Sequence, residues 1–292
     1  MTSLTAARNG RWARIVVAVL VATSLTGGVE TAEAADFREG DVSFKVTCNY
    51  LKSAPFDPIV APDQPGASHL HDFFGNKDIA AGTDSYAELQ AAGAGRTTCN
   101  DTLDLSGYWA PSLYEAGSGV QHKAQRMTGY YRRQQKDAAI QPYPDGLAVI
   151  TGWKQGDGAG PNPAVKWQCT GLPAGSTPPA RSCPSGSYIQ VSVSFPDCWD
   201  GTRRDSANHR DHMAFSVPDS SGAFVCPPTH PAAVPELTIY LNYNTLTSGN
   251  VRLSSGPWYT LHADFLNGWD RARLSERIDT CLVQLQKCAS GA

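Results

Sequence analysis

The sequence lacks the short motifs that mark several large enzyme classes. It has no Gly-x-Ser-x-Gly elbow, no His-Glu-x-x-His, no Cys-x-x-Cys pair and no glycine-rich loop leading into Lys-Ser or Lys-Thr. The first two absences argue against a serine hydrolase and a zincin-type metalloprotease. The missing Cys-x-x-Cys pair argues against a zinc ribbon or a thioredoxin-like redox centre, and the missing glycine-rich loop argues against a nucleotide site that binds phosphate. The function therefore has to be sought in less common arrangements of polar residues.

Clusters of Lys and Arg are also absent, and the charge balance is mildly acidic. The net charge is −3 for the whole chain. It becomes −4 when residues 1–34, which carry three Arg and two Glu, are removed. Neither nucleic acid nor an anionic membrane surface is expected as the main partner of such a chain.

The N-terminus has the pattern of an export signal. Arg8, Arg11 and Arg14 precede the uncharged, apolar residues 15–25, and residues 32–34 (Ala-Glu-Ala) form the small-x-small pattern that signal peptidase cleaves. The apolar stretch is shorter than the ~20 residues needed to cross a bilayer, so an uncleaved membrane anchor is the weaker alternative. We predict that residues 1–34 are a signal peptide and that residues 35–292 form a single secreted, extracellular domain.

All eight cysteines lie after residue 34. An even number in an exported chain predicts up to four disulfides, although eight cysteines allow 105 pairings. Cys169 and Cys183 flank a Pro- and Gly-rich stretch, which suggests a bridge that closes a loop. Cys281 and Cys288 lie seven positions apart in a helical pattern, and a continuous helix would separate them by about 10 Å, beyond the roughly 7 Å limit for a bridge. They would then bond elsewhere, unless the helix ends between them.

Glycine and proline, with 27 and 20 residues, divide the chain into short segments. Period-two or β-branched patterns predict strands at residues 42–48, 146–153, 164–169, 188–195, 212–217, 237–244 and 258–265. Helices are predicted at residues 84–92 and 270–287. We expect a monomeric, mainly β protein: a single-domain β-sandwich or irregular β-sheet with long disulfide-stapled loops and a C-terminal helix.

Six of the seven histidines fall in four compact clusters with carboxylates and aromatic residues. The clusters centre on His69 and His71, on His209 and His212, on His230, and on His262. On an extended segment His69 and His71 would point to one face, where two imidazoles can share a metal ion or an anionic substrate. Each cluster has a structural alternative, because a histidine beside aromatic residues is more often a core or hydrogen-bonding residue.

Two carboxylates are candidates for proton transfer. Asp72 and Asp264 lie among apolar and aromatic neighbours in the sequence, where burial would raise a carboxyl pKa. We predict that these two, with His71 and His212, are catalytic and converge in one pocket. The residues predicted to bind substrate are His69, Trp109, Tyr114, Trp199, Asp200, His209, Arg210, His262, Asn267 and Trp269. For Asp200, a turn or capping role is the alternative.

Six motifs occur in an order that resembles a known family. They are His69-x-His71-Asp-Phe-Phe-Gly, Tyr108-Trp109-Ala110-Pro111-Ser112-Leu113-Tyr114, Phe195-Pro196-Asp197-Cys198-Trp199-Asp200-Gly201, His209-Arg-x-His212-Met213-Ala214, Cys226-Pro-x-x-His230-Pro231 and His262-Ala263-Asp264-Phe265-x-Asn267-Gly268-Trp269. The sequence thus resembles, over about residues 45–270, the secreted bacterial and fungal family known as domain of unknown function 1996. The resemblance implies an extracellular protein, joined in some relatives to carbohydrate-binding modules, and implies no particular activity.

Three functions fit these residues. The first is a secreted carbohydrate-active enzyme without a cofactor, which hydrolyses or eliminates glycosidic bonds of an extracellular or cell-wall polysaccharide with Asp and His as acid and base. The second is a metal-binding protein that holds copper or zinc with three or more imidazoles. The candidate ligands are His69, His71, His209, His212 and His262. The third is a non-catalytic module that binds glycan or cell wall through its aromatic residues.

Overall fold

The computed structural model describes residues 42–91, 93–135, 139–153, 160–286 and 288. The predicted signal peptide lies outside these described residues. Within them, every helix is too short or too polar to cross a membrane.

Strands account for most of the regular structure in the described ranges. The strands are β1 (Ser43–Ala54), β2 (His71–Gly75), β3 (Gly107–Pro111), β4 (Leu113–Glu115), β5 (Gln121–His122), β6 (Arg126–Arg132), β7 (Ala148–Gly152), β8 (Val165–Cys169), β9 (Ile189–Ser194), β10 (Cys198–Trp199), β11 (Met213–Ala214), β12 (Val217–Pro218), β13 (Phe224–Val225), β14 (Ala232–Ala233), β15 (Glu236–Tyr243), β16 (Val251–Leu253), β17 (Gly256–Pro257) and β18 (His262–Leu266). The helices are α1 (Tyr86–Ala91), a 3₁₀ turn (Trp258–Thr260), α2 (Arg271–Arg277) and a π-helical turn (Ile278–Val283).

Nine strands form one antiparallel sheet in the order β7-β18-β3-β2-β1-β6-β15-β9-β8. The Thr151 hydroxyl on edge strand β7 donates to the carbonyl oxygen of Ser194 on β9 at 2.8 Å. One edge of the sheet therefore lies beside the strand next to the other edge, so the sheet is nearly closed and encloses the main core. The remaining strands form small sheets in the order β11-β10-β14, β12-β13 and β17-β16-β4-β5.

Four neighbouring strands of the large sheet, β2, β3, β7 and β18, are buried on both faces. Because side chains alternate along a strand, Phe74 and Tyr108 enter the main core, whereas Phe73 and Trp109 point to the outer face. There they pack with Phe56, from the loop before β2, in a second apolar cluster. This covered outer face carries the polar residues of the candidate site.

The mainly β architecture and the C-terminal helix are as predicted, and each predicted strand segment overlaps an observed strand, although residues 258–260 of the last segment form a 3₁₀ turn. β9 alternates buried and half-buried residues along its length, as its sequence indicates. Strands β2, β3 and β6 are not predicted, because their glycine, proline and charged residues hide the period-two pattern. The C-terminal helix begins where the Asp270 side chain accepts a hydrogen bond from the Arg273 N–H.

Four disulfides cross-link the chain: Cys48–Cys99, Cys169–Cys183, Cys198–Cys226 and Cys281–Cys288. The bridge that closes the Pro- and Gly-rich loop is therefore confirmed. For Cys281 and Cys288, the alternative that the helix ends between them is confirmed, and the two bond to each other. The helix ends at Val283, and the chain turns back so that the two Cα atoms lie 5.6 Å apart.

Candidate functional site

Two imidazoles meet on the outer face of the large sheet. His71 begins β2, His262 begins β18, and β3 lies between these strands. Pro111 of β3 is the register partner of His71. The imidazoles reach across this strand, so that the two Nε2 atoms lie 3.4 Å apart and both rings are almost wholly buried.

The backbone around these rings fixes which nitrogen carries the proton. His71 Nδ1 lies 3.0 Å from the carbonyl oxygen of Phe56, and His262 Nδ1 lies 3.0 Å from the carbonyl oxygen of Thr260. A carbonyl oxygen only accepts, so each Nδ1 must be the protonated nitrogen that donates. In the neutral rings both Nε2 atoms are therefore bare, and their lone pairs face each other.

A third imidazole completes the group. The His69 ring centroid lies 4.2 Å from that of His71 and 5.0 Å from that of His262. Its Nε2 is buried and has no hydrogen-bond partner among the described residues. One ring nitrogen from each of the three histidines falls within 4.8 Å of the other two.

The surroundings keep all three rings neutral. Burial lowers the pKa of His69 to about 4 and that of His262 to about 3. The pKa of His71 is also well below its ordinary range, first through burial and then through the nearby His262 and His69. Neutral imidazole is the form that binds a metal ion.

Two carboxyl groups lie beside the imidazoles. Asp264 follows His262 by two positions and so shares its face of β18, with Oδ2 4.0 Å from His262 Nε2. Both Asp264 carboxyl oxygens are buried without a partner among the described residues. Asp57 comes from the loop before β2, and its carboxyl, His71 and Asp264 offer ligand atoms within 4.8 Å of one another. We call these five residues (Asp57, His69, His71, His262 and Asp264) the histidine–aspartate centre.

The two carboxyl groups differ in how they are held. Asp57 Oδ1 accepts hydrogen bonds from the backbone N–H groups of Ile59 and Val60, at 3.0 and 3.1 Å. Burial raises the Asp57 pKa, while those two N–H groups oppose the increase. Burial and the neighbouring Asp57 raise the pKa of Asp264 well above its usual range, with the Arg210 charge opposing them. Asp264 is therefore a buried acid that no donor among the described residues stabilises.

The centre opens on a cavity of about 570 Å³. His69, His262 and Asp264 line its floor together with Asp57, while the segment that contains His209 and Arg210 lines another side. Its volume lies within the range of about 300–1,000 Å³ that is common for small-molecule sites. A ligand in this cavity would touch the centre directly.

Asp72 and His212, which we predicted to join His71 and Asp264 in one pocket, lie elsewhere. Asp72 follows His71 along β2 and so points to the opposite face, where it accepts hydrogen bonds from Ser53 and Ser112 at 2.6 Å each. His212 is buried, and its Nε2 donates to the carbonyl oxygen of Ala148 at 2.6 Å. Both side chains are thus engaged by structural partners.

Several predicted substrate-binding residues have structural positions as well. Trp109 and Trp269 are wholly buried and offer no ring face to a ligand. Asn267 donates to the carbonyl oxygen of Pro144 at 2.9 Å. Tyr114 lies on β4 with the Arg252 guanidinium 4.5 Å from its ring centroid.

The polar turn after β10 engages another two predicted residues. The Asp200 carboxylate accepts hydrogen bonds from the backbone N–H groups of Thr202 and Arg203, which is the turn role given as its alternative. The Trp199 indole N–H donates to the carbonyl oxygen of Arg203. Of the predicted substrate-binding residues, His69, His209, Arg210 and His262 line the cavity of the centre.

Comparison with known proteins places the chain among its relatives. A family model described as Domain of unknown function (DUF1996) matches residues 57–269. The chain belongs to this family. The comparison found no match among curated proteins or solved structures. The DUF1996 region begins at Asp57 and therefore contains the whole histidine–aspartate centre.

The sequence did not indicate Asp57 or the two carbonyl groups, of Phe56 and Thr260, that orient the imidazoles. Asp57 stands in a Pro-rich loop, and nothing in its local sequence indicates that the loop folds over β2. The carbonyl groups belong to the backbone, so residue types alone cannot reveal them. Proximity along the chain indicates only the Thr260 carbonyl, which precedes His262 by two positions; Phe56 is 15 positions from His71.

Proposed function

We propose that the protein binds one divalent transition-metal ion, zinc or copper, through the Nε2 atoms of His69, His71 and His262, and uses it to hydrolyse an extracellular glycan. The metal is inferred from one observation. The buried Nε2 atoms of His71 and His262 face each other at 3.4 Å, and the carbonyl oxygens beside both Nδ1 atoms assign a lone pair to each Nε2. Such lone pairs repel unless a proton or a cation lies between them. Burial disfavours the proton, because it lowers the pKa of both rings.

The distances suit an ion. Two imidazole nitrogens bound at about 2.05 Å to one tetrahedral ion lie about 3.3 Å apart, close to the 3.4 Å between His71 and His262. The backbone carbonyl groups on the Nδ1 side provide the outer hydrogen bonds that metal-binding histidines normally make. Imidazole nitrogens favour zinc and copper over magnesium and calcium, which prefer oxygen ligands.

The position of the centre favours catalysis over storage. Four of its residues line a cavity large enough for a substrate. Sites that hold zinc for structural reasons have four protein ligands, whereas catalytic sites keep a position for water or substrate. An ion at three imidazoles would supply Lewis acidity and lower the pKa of a water molecule bound to it.

The two carboxyl groups have distinct roles in this proposal. Asp264 lies 4.0 Å from His262 Nε2 and has two carboxyl oxygens without a partner among the described residues. It can accept a proton from the attacking water and return it to the sugar oxygen that leaves as the glycosidic bond breaks. A bound dication would stabilise its ionised form and reverse the effect of burial on its pKa. Asp57 is fixed by backbone N–H groups and orients the groups around His71.

A metal-free glycosidase is the second candidate. It would need two carboxyl groups about 5–9 Å apart across a sugar bond. Asp72 lies on the opposite face of β2 from His71 and cannot supply one of them beside Asp264. Asp57 lies on the same side as Asp264, but the two carboxyl groups offer oxygens within 4.8 Å of each other, which is short even of the roughly 5 Å of a retaining pair. A non-catalytic glycan-binding module is the third candidate, and it would leave the facing lone pairs unexplained.

We also propose that the mature protein is secreted. The four disulfides are compatible with an oxidising, extracellular location. The signal pattern of residues 1–34 would direct the chain to export, after which signal peptidase would remove it.

Release of reducing sugar from a panel of cell-wall polysaccharides tests the proposal. Protein treated with EDTA should be inactive, and equimolar zinc or copper should restore activity. The Asp264→Asn variant should bind the metal but lose at least 100-fold in rate, as expected when a general base is removed. Activity that survives EDTA and requires Asp57 and Asp264 would instead support the metal-free glycosidase. Glycan binding with no hydrolysis in any metal state would contradict an enzyme.

A further inference from the structure

We infer that the catalytic cavity is the middle of a longer cleft, which binds a linear polysaccharide on both sides of the centre and cleaves it at internal bonds. This inference rests on the proposed function, and it adds the form of the substrate and the residues that hold it.

Two further cavities adjoin the central one. A cavity of about 430 Å³ shares Val60 and His209 with it as lining residues. A cavity of about 200 Å³ on another side shares Ile150 and Arg210. Together the three exceed the roughly 300–1,000 Å³ typical of a site for one small molecule. The shared lining residues place each outer cavity beside the central one, as the inferred cleft requires.

One segment of the chain borders all three cavities. Asp205 lines the 430 Å³ cavity, Arg210 lines the central and the smallest cavity, and Phe215 lines the smallest. The segment lies between Cys198 and Cys226, which form a disulfide. Within it, His209 Nδ1 lies 2.8 Å from Asp205 Oδ2. A cross-linked and hydrogen-bonded segment can hold one wall of a cleft in place over its length.

Aromatic side chains lie at both ends of the cleft. Tyr86 lines the 430 Å³ cavity, and its hydroxyl donates to the carbonyl oxygen of Trp269 at 3.1 Å, which fixes the ring. Trp153 and Phe215 line the smallest cavity, and Phe215 is 47% exposed. Sugar rings place their C–H groups against aromatic faces, whose π-electrons carry partial negative charge. The buried Trp109 and Trp269 cannot do this, but these three can.

Charges along the cleft have both signs. Arg204 and Arg210 are offset by Asp84 and Asp205, besides the two aspartates of the centre. Two arginines against four aspartates do not select a polyanion, and the charge of a divalent ion at the centre would offset the two extra carboxylates. The polysaccharide that fits is therefore a neutral one. Asn208 and two serines, Ser68 and Ser255, add neutral hydrogen-bonding groups in the central cavity.

The test separates binding from catalysis. Binding is measured first on EDTA-treated protein, by affinity electrophoresis in gels that contain β-1,3-glucan, β-1,4-glucan, β-1,4-mannan or α-1,4-glucan. Phe215→Ala and Trp153→Ala should each weaken binding of the retained polymer at least fivefold. Phe224→Ala is the matched control, because Phe224 is similarly exposed at 44% on β13 and should leave binding unchanged. Equal binding by the wild type and both cleft variants, or retention by none of the four polymers, would overturn the inference.

Product lengths test the position of cleavage. Zinc-loaded wild type acting on the bound polymer should release a range of oligosaccharides at early times, and Phe215→Ala should shift their lengths. Release of single sugars only would refute the cleft while leaving the metal-dependent hydrolase intact. If the protein hydrolyses none of the polymers but its binding still depends on Phe215, the metal-dependent hydrolase would be refuted and the binding cleft would stand. Cleavage of a peptide in preference to every polysaccharide would contradict the inferred substrate class.

Discussion

The Nε2 atoms of His71 and His262 face each other at 3.4 Å, although neither carries a proton in the neutral rings. The arrangement follows from two backbone carbonyl oxygens, which take the Nδ1–H of each ring and leave the facing nitrogens bare. Two buried lone pairs in this position destabilise the metal-free protein. A cation that binds both nitrogens would remove this cost, so metal binding and folding stability should be linked.

Zinc should therefore raise the melting temperature. At a free zinc concentration 100 times the dissociation constant, the folded state gains about 2.7 kcal/mol. Thermal scans in EDTA and in zinc measure the shift, which should vanish in His71→Ala and His262→Ala. His230→Ala, whose ring contacts Thr229 and the Asp211 carbonyl outside the centre, should keep it. An equal shift in all three variants would place the ion elsewhere.

The same substitution should have opposite effects at two buried aspartates. Asp264→Asn removes an ionisable group whose pKa burial raises, so the unfolded chain no longer gains from ionising it at pH 7, and the substitution should stabilise the metal-free protein by about 1 kcal/mol or more. Asp72→Asn weakens hydrogen bonds from Ser53 and Ser112, and should cost about 1–3 kcal/mol. Urea unfolding in EDTA at pH 7 gives both values. Destabilisation by Asp264→Asn would mean that this carboxyl has a partner in solution.

Asp104 should make stability fall as the pH rises from about 4 to 7. Burial raises the pKa of its carboxyl to about 7, against an ordinary value of 3.8. In this window the folded protein holds a proton that the unfolded chain has released, so each pH unit costs about 1.4 kcal/mol. Other groups titrate in the same range, notably the three histidines, whose lowered pKa values act in the opposite direction.

The Asp104→Asn variant isolates this contribution. The difference in unfolding free energy, variant minus wild type, should rise between about pH 4 and 7 and be constant above, because shared groups cancel. Urea titrations at unit pH steps measure it. A difference that stays flat across the window would show that Asp104 ionises normally.

Gly152 should be essential for the geometry of the centre. It pairs with His262 across β7 and β18 and has φ +88°. A Cβ there would lie 2.5 Å from the Leu261 carbonyl oxygen and 2.6 Å from His262 Cα. Gly152→Ala should therefore weaken zinc binding at least tenfold, besides losing the roughly 1–2 kcal/mol expected for the left-handed backbone.

Gly171→Ala is the matched control for this substitution. Gly171 has φ +80°, and a Cβ there would meet no atom of the described residues within 4 Å. It should lose similar backbone free energy but keep full zinc affinity, measured by calorimetric titration. Equal zinc affinities in the two variants would contradict a role for Gly152 in placing His262.

Much of the site could be predicted from strand geometry. The alternation of side chains places His69 with His71, and His262 with Asp264, on common faces, and the structure has both pairs together. The same rule sends Asp72 away from His71, so placing these neighbours in one pocket was inconsistent with an extended segment. The sequence indicates that His71 and Asp264 lie together, as they do in the structure. The second carboxyl group of the site is that of Asp57, whereas we expected Asp72.

The rest of the candidate site depends on contacts between parts of the chain that are distant in sequence. Strand order brings β18 next to β3 and β2, which no local pattern specifies. Asp57 joins the centre because a loop without periodicity folds over β2, and His212 is excluded because the carbonyl group of Ala148 engages it. The aromatic residues were harder still. Trp269 is buried in the main core and Trp109 in the apolar cluster on the outer face of the sheet, so neither is available to a ligand.

The metal content of purified protein tests the central claim most directly. After incubation with excess zinc and dialysis, elemental analysis should find one zinc ion per wild-type chain. His69→Ala, His71→Ala and His262→Ala should each hold far less than one, and His230→Ala should match the wild type. Absence of both bound zinc and bound copper from correctly folded wild type, or full occupancy in the three variants, would contradict the account.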